Sequence, residues 1–400
     1  MLAYAAVMVL GPRARTASFV IALVGASSAS GCGGGTTGAT AEAPFVVAGA
    51  AGGPSSPTTD GRRGATGTSA EAGPPKTSEP LVQEPPASLV ASSRSSTSAR
   101  SGASFAGAGF PPADVTPPFP RSAVPGDGRW QPVADGMRDG RPVMVRMKLH
   151  IHPTRPDKSI EVVAIDRAAV EPVLVVGKSE PPAPTVAAER RTGLVPVEDR
   201  ARLLGVFNGG FMQRHGKWGM IVGEDVFTPP REDGCSIVAH RDGRLRIGLH
   251  ASLALGAPPL GDVAWLRQTP PCLVENGVVN ERVLREPGHV IWGKAVDGKF
   301  DIRRSALALD RGGRVLYYVF SDWNAPNEFA KGLVALGVDA AAELDVNWSY
   351  TWFYWFEGQA TPSPRIREAL VPKAKYDPRG FVERPADRDF FYLRERVPSG

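Results

Sequence analysis

Residues 303–356 read RRSALALDRGGRVLYYVFSDWNAPNEFAKGLVALGVDAAAELDVNWSYTWFYWF. Two apolar runs, 305–309 and 315–320, flank Asp310-Arg311-Gly312-Gly313, which is turn chemistry joining two strands into a hairpin. The polar corner Ser321-Asp322-Trp323-Asn324 then leads into a helix. Asn324 is expected to cap it, Pro326 sits in its first turn, and Glu328 faces the positive end of its dipole. Phe329, Leu333 and Leu336 share one face of this helix, and Gly337 ends it. Residues 340–344 predict a short buried strand that stops on Asp345-Val346-Asn347-Trp348-Ser349-Tyr350. Strand ends are where α/β proteins place their chemistry. A carboxylate, an amide and a hydroxyl gathered there make this loop the best site candidate in the chain.

Upstream, the hairpin theme repeats. Val143, Val145, Met147, Leu149 and Ile151 alternate with Arg146, Lys148, His150 and His152, the period of a half-buried strand. The two histidines share its polar face, but no Asp, Glu or Cys joins them, so they read as solvated and no metal site is expected. Residues 160–165 and 173–176 continue as strands, and a helix over 197–203 follows Pro196. An apolar strand, 204–207, then breaks into Asn208-Gly209-Gly210-Phe211. Paired glycines let backbone amides approach a ligand closely; Asn-Gly is equally a hairpin turn. Further hairpins are expected within 219–228, 236–249 and 273–279. The aromatic run 350–356 reads mostly as core, with Trp348 and Tyr350 reaching a cleft. The tail 361–400 is rich in proline and charge, and its Phe390, Phe391 and Tyr392 form a patch that docks on the domain. The expected class is α+β: a mixed sheet built largely from hairpins with a few packing helices, preceded by a disordered tether.

Composition divides the chain. Many of the 45 glycines and 38 prolines crowd the N-terminal third, and 33–125 holds too few large apolar residues to offset the entropy of ordering. The expected layout is a signal segment 1–32, a linker 33–125 and one folded domain 126–400. A net charge of +5 without a basic block argues against nucleic acid, and no protein partner is inferred. Arg13 and Arg15 precede an apolar stretch, 17–25, that leads to Ala29-Ser30-Gly31-Cys32. This resembles a bacterial lipoprotein signal and implies lipidation at Cys32, with the protein held at the cell envelope on its periplasmic or outer-membrane face. The alternative is an ordinary cleaved signal peptide. The apolar stretch falls short of the roughly 20 residues that cross a bilayer. Cys235 and Cys272 either pair in an oxidising compartment or remain buried thiols.

The order of these pieces resembles one family. A strand into Asn208-Gly209-Gly210-Phe211, the Pro271-to-Gly277 segment, Arg304-Ser305-Ala306 opening a hairpin that ends in Asp322, then a helix and a strand into Leu344-Asp345 are together similar to the phosphodiester glycosidases. That family includes an enzyme that removes N-acetylglucosamine from a phosphodiester, and many bacterial envelope proteins. The resemblance implies a hydrolase of the glycosidic bond between a sugar and phosphate. It implies that Arg304 meets the phosphate, with Asn208 and the amides of Gly209 and Gly210 as neutral donors. Asp345 is then the base or the stabiliser of a cationic sugar, and Asp322 the second carboxylate. Asn347, Trp348, Ser349 and Tyr350 would line the sugar. No cofactor is identified. Two departures count against simple transfer: where the family has glycines after the aspartates, this chain has Val346-Asn347-Trp348 and Trp323. Side chains there fill ligand space, so either the substrate differs or the protein is an inactive glycan- or phosphoglycan-binding lipoprotein. Arg304 also has a plain reading as an ion-pair residue.

Overall fold

Among the described residues, three antiparallel sheets of five or more strands share a central cluster, and Met137–Arg138 with Arg141–Pro142 forms a separate two-stranded ribbon. The computed structural model describes residues 109–285, 290–371 and 373–397. The signal segment, Cys32 and most of the expected tether lie outside them. The largest sheet runs in the order Gln131–Pro132, Met144–His150, Ser159–Asp166, Val315–Asn324, Ile302–Leu309, Ala340–Glu343, Val274–Glu275 and Val278–Val279. The expected 305–320 hairpin is its centre, with Leu307 opposite Tyr318 and Leu309 opposite Leu316. The second sheet orders Leu245–Leu249, Cys235–His240, Val263–Thr269, Met220–Val222 and Asp225–Thr228, and the third Arg365–Ala369, Phe353–Glu357, Leu203–Asn208, Phe390–Glu395 and Val170–Val175. Helices are few and short, so the mixed α+β expectation holds with the balance well toward sheet.

Packing follows from the two-residue period of a strand. In Ile302–Leu309 every residue is buried, because both faces are covered. Leu307 and Leu309 join a central cluster with Phe207, Trp265, Phe353 and Phe391 from the other two sheets. Ala306 and Ala308 face the other way, under Phe329 and Leu333 of the helix Pro326–Ala335. Small residues on that face admit the helix closely. Cys235 and Cys272 form a disulfide across this interior.

Several expectations need correction. Asn324 does not cap the helix: Ala325 holds the cap position, and Glu328 accepts from its N–H at 3.1 Å. Asn324 is fully buried instead, donating to Ser321 Oγ. His150 is not solvated; it is 4% exposed and its ring faces Asp127 at 3.2 Å. Ordered chain also begins before 126, since Phe110 and Val115 pack against the helix-side cluster and Val115 N–H donates to Gly128 O at 2.8 Å. The largest correction is the tail. Phe390–Glu395 is an inner strand, paired with Leu203–Asn208 on one side and Val170–Val175 on the other, and Phe390, Phe391 and Leu393 are wholly buried. Proline-rich flanks disguised an apolar run too short to signal a strand by period alone.

Candidate functional site

The site forms where the third sheet meets the largest one. Leu203–Asn208 ends on Asn208, 1% exposed, whose amide nitrogen donates to Ser305 Oγ at 3.0 Å and to Gly209 O at 3.1 Å. Its oxygen accepts from Tyr318 Oη at 3.0 Å and from the N–H of Trp352 at 3.3 Å. The polar atoms of this side chain tie strands together, so Asn208 acts here as an internal joint. The glycines behave likewise. Gly209 N–H donates to Asp389 O and Gly210 N–H to Asp389 Oδ2. A Cβ on Gly209 would lie 2.2 Å from Asp389 Oδ2, and one on Gly210 2.7 Å from Arg267 Cζ. They are glycine because two chain segments touch there, and their amides are not open donors.

Asp345 leaves Ala340–Glu343 and closes the gap between sheets, its N–H donating to Gly209 O at 3.0 Å. Ser305 and Thr351 hydroxyls donate to its carbonyl. The carboxylate is 5% exposed: Oδ1 accepts from Asn347 N–H at 2.7 Å, and Oδ2 pairs with Arg388. The Arg388 guanidinium lies 3.9 Å from the ring centre of Tyr350, a cation on an aromatic face. Val346 turns inward against Phe211, Trp218 and Ile302, so it fills core and not ligand space. Asn347 Oδ1 accepts from the N–H and the hydroxyl of Ser349, which stiffens the loop from within.

Asp322 lies in a bulge, because Arg304 pairs with Ser321 while Ile302 pairs with Asn324. Its side chain is 36% exposed, and one oxygen, Oδ1, accepts both from Arg303 Nη2 at 2.6 Å and from Arg303 Nε at 3.0 Å. Among the described residues nothing hydrogen-bonds to Oδ2. Arg303 also donates to Trp348 O at 3.1 Å and stands 3.5 Å from that residue's ring centre. Trp348 packs on Trp323 at 5.7 Å, and the two indoles are 56% and 48% exposed. The loop 345–350 therefore joins two Arg–Asp pairs, one buried and one at the rim beside an open aromatic pair.

Arg304 is not part of this group. It points to the opposite sheet face, is wholly buried, and pairs with Glu343 at 2.7 Å while donating to Asn324 O, Trp292 O and Phe300 O. Burial pushes the Glu343 carboxyl up to about 7 against the pull of Arg304, and pushes the Arg304 guanidinium down. Arg304 is an ion-pair residue here, with Glu343 as its partner and neither Asp322 nor Asp345. Arg303, Arg388, Asp389 and Trp323 carry the arrangement instead. Arg303 was legible only as the neighbour of Arg304, since a bulge decides which of two adjacent arginines faces the site. His215 belongs here too: burial, then Arg214 and Arg388, lower its pKa to about 4. Arg214 Nε donates to its Nε2 at 3.1 Å, leaving the proton of the neutral ring on Nδ1. Among the described residues no group of three or more His, Cys, Asp or Glu could hold a metal.

No protein-family model matches this chain, and no curated protein is similar to it. Solved structures of similar shape include the zebrafish N-acetylglucosamine-1-phosphodiester alpha-N-acetylglucosaminidase catalytic domain, auto-inhibited by its pro-peptide. It is 16% identical over 67% of this chain and 88% of its own, with a TM-score of 0.42. A hypothetical protein from Synechocystis is 12% identical over 64% and 63%, with a TM-score of 0.35. An exported protein from Burkholderia pseudomallei is 12% identical over 59% and 74%, with a TM-score of 0.27. These are distant likenesses, and no residue role is transferred from them.

Proposed function

We propose that the surface at Asp322 and Trp348 binds a sugar joined to phosphate and hydrolyses the glycosidic bond between them. One observation carries this reading: a guanidinium, Arg303, sits between an accessible carboxylate and a pair of exposed indoles. Indole faces suit the C–H face of a sugar, and a guanidinium suits phosphate oxygens. Phosphate is already a good leaving group, so charge stabilisation matters more than acid assistance. Asp322 Oδ2 is the oxygen able to take a proton from water or to face a cationic sugar. Asp345, paired with Arg388 and bonded to Asn347 N–H, anchors the loop that carries Trp348.

The test is release of free sugar from a panel of sugar-1-phosphodiesters. Asp322→Asn should lower kcat by about 10²- to 10⁴-fold with little change in KM, whereas Arg303→Ala should raise KM as well. A second reading has its own support, because Asp345 has both oxygens engaged, by Asn347 and Arg388. In that reading the same surface binds without turnover. Thermal stabilisation by the same compounds without sugar release selects it, and neither effect from any member of the panel defeats both.

A further inference from the structure

A second polar cavity, of about 190 Å³, lies between the second and third sheets. It sits at the far end of Phe390–Glu395 from Arg388, about 20 Å away at roughly 3.3 Å per residue. Arg167, Arg244, Arg394 and Arg396 line it against one carboxylate, Glu171. The carboxylates behind that wall do not restore balance. Asp199 takes Arg394 Nη1 at 2.7 Å but is shared with Arg202, and Asp242 takes Arg244 at 2.6 Å. Glu171 is itself divided between Arg394 at 2.9 Å and Arg396 at 3.6 Å.

Among the described residues, Arg394 Nε and Nε2 of His240, a residue 5% exposed, are buried atoms of the lining with no hydrogen-bond partner. His240 Nδ1 meets Asp262 Oδ2 at 3.0 Å, so in the neutral ring the proton sits on Nδ1 and Nε2 is an acceptor. A buried Arg N–H without an acceptor is costly and asks for a ligand. Here a donor and an acceptor are left over together in a cavity with surplus positive charge. We propose that this inter-sheet cavity binds a small oxyanion of the phosphate class, held by Arg394 and Arg396 and hydrogen-bonded to His240. Monohydrogen phosphate matches both atoms, accepting from Arg394 through an anionic oxygen and donating to His240 through its hydroxyl. Sulfate lacks that hydroxyl, and a water molecule leaves the charge uncompensated.

The experiment titrates the full chain carrying Arg303→Ala, which removes the guanidinium of the proposed sugar-phosphate site, with inorganic phosphate at constant ionic strength. Thermal unfolding and ³¹P line width are the readouts. A saturable rise in Tm is expected, larger for phosphate than for sulfate and absent for chloride. Arg396→Leu should weaken it at least tenfold, and Arg244→Ala, at an exposed side chain that leaves the fold alone, should weaken it severalfold. Equal responses to all three anions, no saturation, or an Arg244→Ala response matching that of its parent would overturn the proposal.

Discussion

Arg303 and Arg304 are chemically identical neighbours with opposite fates. Arg304 and Glu343 are both wholly buried, and removing one partner of such a pair strands a charge in a low dielectric. Glu343→Gln should therefore cost about 3–5 kcal/mol in urea unfolding. His215 makes a second residue-scale expectation. Its folded pKa of about 4 lies below the ordinary value of 6.5, so the unfolded chain binds a proton first. The stability it contributes is complete above pH 6.5 and is lost as pH falls toward 4. His215→Phe should flatten the stability-versus-pH curve in that window, and an unchanged slope would show that the ring titrates in the folded chain as it does in the unfolded one.

At the scale of elements, the central hairpin, the helix after it and the strand into Asp345 were legible because each combines an apolar period with turn or cap residues. Asn276 and Gly277, at φ 52° and 75°, turn the 274–279 hairpin as Asn-Gly predicts. Phe390–Glu395 was not legible. It is an inner strand with no period, and its partners lie far away in sequence. Arg388 and Asp389 reach the site only because that strand threads the third sheet. The disulfide spans a sequence separation of 37, and closing a loop of that size stabilises by about 4 kcal/mol in the chain-entropy account. Replacing Cys235 and Cys272 together with Ala should lower stability by that order, measured by denaturant midpoint without added reductant.

For the whole molecule, we propose that Cys32 is lipidated and holds the domain at a membrane surface through the glycine- and proline-rich stretch that follows. Cys32→Ser should move the protein from the membrane to the soluble fraction in cell fractionation; a wild-type protein that is soluble and unmodified at Cys32 would end that idea. Among the described residues no helix is long and apolar enough to cross a membrane.

By itself the sequence determined the α+β class, the hairpin over 305–320 and the buried strand into Asp345, since local period and turn chemistry suffice for each. Tertiary structure alone decided which charges meet. Asn208, Gly209 and Gly210 became internal joints, Arg304 met Glu343 while its neighbour Arg303 met Asp322, and Arg388 arrived from a distant strand. The physical reason is that a side chain's partner depends on the sheet face it is given, and one bulge or one long-range strand pairing changes that face without leaving a mark in the local sequence.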